Sequence, residues 1–207
     1  MPRTGIILAG GKSRRMGRDK ASLTVNGRSL LARVIARVCE VDDLCEVIIS
    51  HAEGQVLPPD IQCEVLLKTT VDTVQGEGPL VGIASALMHS ISDTNLIVGA
   101  DMPLVQTPLL NKLAQVLEET NPLGQKSLPL WVVPKSDYIQ PLCSAISLSS
   151  LGVIQRAIDN SVRAPGQLIE SLNAIVLEEK RWIATDPDRM SFRDIDSPAD
   201  LASAGLV

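Results

Sequence analysis

Short apolar runs, each the length of a buried strand, alternate with amphipathic helical patterns along this chain. That alternation restricts it to an α/β domain built on a mainly parallel sheet. The first run is Gly5-Ile6-Ile7-Leu8, followed by a glycine-rich, cationic stretch to Lys20. Asn26-Gly27 predicts a tight hairpin turn. A helix follows with Leu30, Leu31, Val34, Ile35 and Val38 on one face. Strands are expected at 46–50 and 64–67. Pro79 opens a helix to about His89, because its missing N–H costs nothing at the first helical position. Leu96-Ile97-Val98 reads as a central strand, and Thr107-Pro108 starts a helix to about Glu119 with Leu110, Leu113 and Leu117 inward. Strands near 130–133 and 142–146, a helix near 150–159 and a strand at 192–196 complete the pattern, and Ser197-Pro198-Ala199-Asp200 caps a last helix.

Length and composition narrow the function. The 207 residues suit one domain, at roughly 100–200 residues each. Such a chain buries enough surface to fold without disulfides or a structural metal. Aromatic residues make up only 2% (Trp131, Trp182, Tyr138, Phe192), which argues against stacking of single-stranded nucleic acid. A net charge of −5 disfavours DNA and anionic membranes. Cys39, Cys45, Cys63 and Cys143 are scattered without a CxxC pair, and His51 and His89 do not fall at zinc-ligand spacing. These thiols read as small buried hydrophobes in a reducing compartment. No apolar run approaches the roughly 18 residues of a membrane span, and the first run is too short for a signal peptide. The expectation is a soluble, cytoplasmic protein with small-molecule partners.

The most informative segment is Leu8-Ala9-Gly10-Gly11-Lys12-Ser13-Arg14-Arg15-Met16-Gly17-Arg18-Asp19-Lys20. Paired glycines after a strand let the backbone turn sharply and approach an anion closely. Lys12, Arg14, Arg15, Arg18 and Lys20 stand against Asp19 alone, so a positive loop sits in a negative protein, as a polyphosphate site requires. An ordinary P-loop is excluded: the earlier glycine would fall at Ile6. A GxGxxG is absent as well.

The whole string L-A-G-G-x-S-x-R-M-G-x-D-K resembles the signature loop of nucleotidyltransferases with a Rossmann-like domain, and most closely the MobA-type molybdenum cofactor guanylyltransferases. The resemblance implies a single-domain, three-layer fold over 1–207, with a mainly parallel mixed sheet. Residues 1–105 would form its nucleotide-binding half and 106–207 its acceptor-binding half. Gly99-Ala100-Asp101-Met102-Pro103 is similar to the family's x-x-D-x-P, whose aspartate binds metal. Asp101 also follows a strand directly, where open α/β sheets place ligands, and its hard oxygen suits Mg²⁺. Asp72, with Gly76-Glu77-Gly78-Pro79-Leu80-Val81-Gly82, resembles a second family stretch whose aspartate contacts the nucleotide, although a Gly/Pro loop capping a helix needs no ligand. Asp194-Ile195-Asp196-Ser197-Pro198 matches the family's N-x-N-T-P element with Asp for Asn. Asp196 would serve as a second magnesium ligand, though helix capping alone also accounts for it. Asp194 falls on the acceptor side with Arg163, as does Gln140-Pro141-Leu142.

The reaction implied is transfer of GMP from GTP to the terminal phosphate of molybdopterin, with release of pyrophosphate. Leu8 and Ala9 would border the base. Gly10, Gly11 and Arg15 would hold the outer phosphates, and Lys20 the α-phosphate region. Proteins of molybdenum cofactor biosynthesis would be transient partners. Rival readings are a cytidylyltransferase of the same fold and a non-catalytic nucleotide-binding regulator.

Overall fold

Neighbouring apolar residues in the central strands face opposite ways, and this alternation builds three layers. Ile7, Ile49 and Val98 pack with Leu31, Val34, Ile35, Leu110, Leu113 and Leu117 on one side of the sheet. Their neighbours Ile6, Ile48 and Ile97 pack with Leu80, Ile83, Leu87 and Ile154 on the other. The computed structural model describes residues 1–10, 20–72, 78–121, 128, 130–169, 172–193, 195 and 200, Lys20 by its backbone alone.

The chain forms β1 (Arg3–Leu8), β2 (Thr24–Val25), β3 (Arg28–Ser29), α1 (Leu30–Cys39), β4 (Leu44–His51), β5 (Leu66–Val71) and α2 (Pro79–Leu87). It continues through β6 (Thr94–Gly99), α3 (Thr107–Thr120), β7 (Leu130–Pro134), β8 (Cys143–Ser147), α4 (Leu151–Asp159) and β9 (Asn173–Leu177). Seven strands form one sheet in the order β5-β4-β1-β6-β8-β7-β9. Strand β8 pairs antiparallel with β6 and β7, and the other pairings in this sheet are parallel. The expected α/β class, three layers and mixed, mainly parallel sheet are therefore present. No helix among the described residues is long and apolar enough to cross a membrane.

Local chemistry explains the elements that frame the site. Asn26 and Gly27 both have positive φ, 49° and 73°, as the expected two-residue hairpin turn between β2 and β3 requires. Ser29 caps α1, its Oγ accepting from the Ala32 N–H at 3.1 Å. Asp60 holds that cap in turn, accepting from the Ser29 N–H at 2.7 Å and from its Oγ at 2.8 Å. A methyl group at Gly5 would stand 2.3 Å from Val38 Cγ1, so α1 rests on β1 at a separation that only glycine permits. At the opposite end of the sheet from the strand tips, Glu46 is fully buried. Its carboxylate meets Lys68 Nζ at 2.6 Å, the Ile91 N–H at 2.8 Å and Thr4 Oγ1 at 2.8 Å.

Three expectations are corrected. Strand β5 begins at Leu66 and runs to Val71, later than the expected 64–67, because Lys68-Thr69-Thr70 pairs with β4 despite its polarity. Strand β9 adds a pairing to β7 that the sequence pattern did not anticipate. Phe192 does not start a strand: Met190–Phe192 is a 3₁₀ turn. The buried Asp186 carboxylate accepts from the N–H groups of Met190 and Ser191, at 2.9 and 2.8 Å, and curls the chain there. Phe192 packs edge-on against Trp182, with ring centroids 5.0 Å apart. The cap expected at Ser197 lies outside the described residues.

Candidate active site

From β1 the chain passes through α1 to β4 and β5 on one side, then returns through α2 to β6 on the other side of β1. Helices α1 and α2 lie on opposite faces of the sheet. The strand order thus reverses between β1 and β6, where open α/β sheets form a ligand crevice beyond their carboxyl ends. Four neighbouring parallel strands end there in register: Leu8 lies between Ser50 of β4 and Gly99 of β6, and His51 lies opposite Val71 of β5. Leu8, Ala9 and Gly10 leave β1, Asp72 leaves β5, and Asp101 follows β6. At about 4.8 Å per strand, the strands bearing Asp72 and Asp101 lie roughly 14 Å apart.

The turn after β1 is fixed from both sides. The N–H groups of Ala9 and Gly10 donate to the Ser50 carbonyl at 2.8 and 3.2 Å, and the Ala100 N–H donates to the Leu8 carbonyl at 3.0 Å. Gln55 braces the turn: its Nε2 donates to the Ala9 carbonyl at 3.0 Å while its Oε1 accepts from the Ala52 N–H at 2.9 Å.

Asp72 is half-buried against this turn. Ser50 Oγ donates a short hydrogen bond to Asp72 Oδ1. A Cβ at Gly10 would stand 2.6 Å from Asp72 Oδ2, and one at Gly82 would stand 3.2 Å from Oδ1 and 3.0 Å from Ser50 Oγ. Glycine at both positions is therefore what admits the carboxylate. Burial pushes the Asp72 carboxyl above its ordinary value, against the lowering effect of the Ser50 hydrogen bond and of nearby His51. A carboxyl whose folded pKa exceeds its unfolded one costs stability increasingly as pH rises from the unfolded value through the folded one. At neutral pH the Asp72 carboxyl thus opposes folding. Asp72→Asn is expected to raise the melting temperature at neutral pH and to leave it unchanged in acid, where the wild-type carboxyl is already protonated. Thermal scans at the two pH values check this.

Asp101 stands on the other side of the turn, half-buried, with Oδ1 where a Cβ at Gly99 would come within 2.7 Å. Its carbonyl accepts the N–H of buried Ile195 at 3.0 Å, so the carboxyl-terminal segment meets the end of β6 at this point. Leu142 of the Gln140-Pro141-Leu142 element accepts the Gly99 N–H at 3.0 Å. Arg163 lies beside the start of α2, the helix whose Gly82 faces Asp72. Its Nη1 donates to the carbonyls of Ile158 and Val162 at 2.6 and 3.1 Å, at the end of α4. Its backbone carbonyl lies 2.9 Å from where a Cβ at Gly78 would be, beside the start of α2.

The structure therefore brings Leu8, Ala9, Gly10, Asp72 and Asp101 to one edge. Gly11, Arg15, Asp194 and Asp196 lie outside the described residues, as does the Lys20 side chain. Two contributors escaped the sequence reading. Ser50 had one usable signal, a hydroxyl ending the buried run Val47-Ile48-Ile49. Gln55 had none.

The fold and this edge define a doubly wound α/β protein with two carboxylates, Asp72 and Asp101, flanking the turn at its strand-order switch point. Residues 5–174 match the MobA-like NTP transferase domain, and the chain belongs to that family. A probable molybdenum cofactor guanylyltransferase from Pelotomaculum thermopropionicum is 31% identical over 208 residues, covering 99% of this chain and 92% of the relative. A molybdenum cofactor guanylyltransferase from Desulfosudis oleivorans is 31% identical over 205 residues, 97% of this chain and 93% of the relative. Among solved structures, molybdopterin-guanine dinucleotide biosynthesis protein A from Archaeoglobus fulgidus has a TM-score of 0.76 at 23% identity, covering 97% of this chain and 96% of its own. The 2-C-methyl-D-erythritol 4-phosphate cytidylyltransferase of Thermus thermophilus has a TM-score of 0.66 at 18% identity, over 99% and 97%. These two structures share the fold.

Proposed function

We propose that this chain is a molybdenum cofactor guanylyltransferase, joining GMP from GTP to the terminal phosphate of molybdopterin and releasing pyrophosphate. The observation that carries this reading is the convergence of the Leu8-Ala9-Gly10 turn, Asp72 and Asp101 on adjoining parallel strand ends in a MobA-like chain. The guanylyl rather than cytidylyl assignment rests on the names borne by its relatives.

The chemistry asks little of a side-chain nucleophile. The acceptor phosphomonoester has a second pKa of about 6 and is largely ionised at neutral pH. What remains is to bring two anions together and stabilise charge at the α-phosphoryl and the leaving pyrophosphate. Leu8 and Ala9 would border the base with Asp72 beside it. Gly10, Gly11 and Arg15 would hold the outer phosphates, and Lys20 would contact the α-phosphate region.

Asp101 supplies the hard oxygen donor that magnesium takes. Among the described residues no group of three His, Cys, Asp or Glu gathers to cage a metal. Mg²⁺ ordinarily takes one or two carboxylates and completes its shell with phosphate oxygens and water. Asp101 would hold it, with Asp196 as second ligand, and bound there it would neutralise phosphate charge. Asp194 and Arg163 would serve the acceptor. In this scheme residues 1–105 bind the nucleotide and 106–207 the acceptor. The work is cytoplasmic, beside the proteins of molybdenum cofactor biosynthesis that supply the acceptor.

Incubation with molybdopterin, Mg²⁺ and each labelled NTP tests the assignment. GTP-dependent formation of the dinucleotide is expected. Consumption of CTP but not GTP overturns the base assignment, and consumption of neither overturns the activity.

A further inference from the structure

Cys39 ends α1, and Cys63 lies in the segment between β4 and β5. The fold brings their sulfur atoms to 3.1 Å across 24 residues of chain, both thiols free. We propose that Cys39 and Cys63 are an oxidative modification site, converted by a low-molecular-weight disulfide such as glutathione disulfide into an intramolecular disulfide that ties the 52–65 segment to the end of α1.

Proximity and access support it. An S–S bond of about 2.05 Å needs only about 1 Å of further approach. Both residues are partly exposed, and Gln62 and Glu64, on either side of Cys63, are exposed, so an oxidant in solution reaches this thiol. The other two thiols are engaged differently. Cys45 donates to the Arg3 carbonyl at 3.3 Å and lies 3.2 Å from Ser92 Oγ, while Cys143 is fully buried.

The order of events follows from the surroundings. Cys63 lies between two exposed residues whereas Cys39 follows fully buried Val38, so the first attack falls to Cys63, and burial also pushes the Cys39 thiol up. The Cys63 thiolate displaces one glutathione from the disulfide, forming a mixed disulfide. Cys39 then gives up its proton and attacks the Cys63 sulfur, and the second glutathione leaves. Two protein S–H bonds are lost, one S–S bond forms, and both protons end on two glutathione thiols.

The tether has a structural consequence. The same segment already grips the start of α1 through Asp60 and Ser29, and braces the Ala9 carbonyl through Gln55. A bond at Cys63 would fasten it to both ends of that helix.

The folded full-length chain, treated with glutathione disulfide and read by non-reducing intact mass and peptide mapping, decides the matter. The expected product has lost two hydrogens, yields a peptide joining Cys39 to Cys63, and melts about 5 °C higher. Cys39→Ser should trap a stable glutathione adduct on Cys63, whereas Cys63→Ser should leave Cys39 as a free thiol. Retention of both thiols in the wild-type chain, a lasting adduct without a cross-link, or a cross-link to Cys45 or Cys143 would each overturn the proposal.

Discussion

Asp101→Ala is expected to cut Mg²⁺-dependent pyrophosphate release by about a thousandfold while the chain stays folded, a loss typical of removing a group that organises charge in a transition state. Two features separate catalysis from folding at this residue. The bond that Asp101 makes to Ile195 runs through its backbone carbonyl, which alanine retains. The β6 strand behind it is fully buried and paired on both edges, so it does not depend on the carboxylate. Near-ultraviolet circular dichroism should therefore retain the wild-type signature. Turnover within a few-fold of wild type would remove Asp101 from the chemistry.

The second large effect concerns stability at the far end of the sheet. Lys68→Ala should destabilise the fold by about 3 kcal/mol, because it leaves a buried carboxylate without its cation. That is the lower end of the usual range, since the Lys68 side chain is 30% exposed and water can enter its place, whereas Glu46 is 0% exposed. The pH dependence carries the signature. Burial alone would raise the Glu46 carboxyl, but Lys68, the Ile91 N–H and Thr4 together bring it below its ordinary value. A lowered folded pKa gives stability that is present above the unfolded value and lost as pH falls through the folded one. The gap between variant and wild type in urea titrations should be full at neutral pH and shrink in acid. A gap independent of pH would show that packing, not charge, is responsible.

The sequence was most readable where both faces of a strand are apolar. Ile6-Ile7, Ile48-Ile49 and Ile97-Val98 announce central strands because each pair supplies a residue to either helical layer. Strand β5 was misplaced for the opposite reason. It sits at the sheet margin, most of its side chains are at least partly exposed, and Lys68-Thr69-Thr70 carries no apolar signal. Phe192 misled because an aromatic residue looks strand-like, whereas its ring serves Trp182 and the Asp186 carboxylate bends the chain before it. At the site, Leu8, Gly10 and Asp101 stood out because each ends or closely follows an apolar strand within a motif, and Asp72 because its stretch resembles one of the family's. The parts played by Ser50 and Gln55 arise from pairing between β1 and β4, which no spacing along the chain encodes. The meeting of Cys39 and Cys63 was hidden in the same way.

The marginal position of β5 divides the crevice mechanically. Asp101 follows an interior strand held from both edges, while Asp72 follows one that, among the described residues, is bonded to β4 alone, and marginal strands fray first. Amides along β5 should therefore exchange with solvent sooner than those of β6, and an occupied crevice should slow them. If the proposed function holds, the Asp101 wall would act as an anvil and the Asp72 wall would stiffen as nucleotide settles.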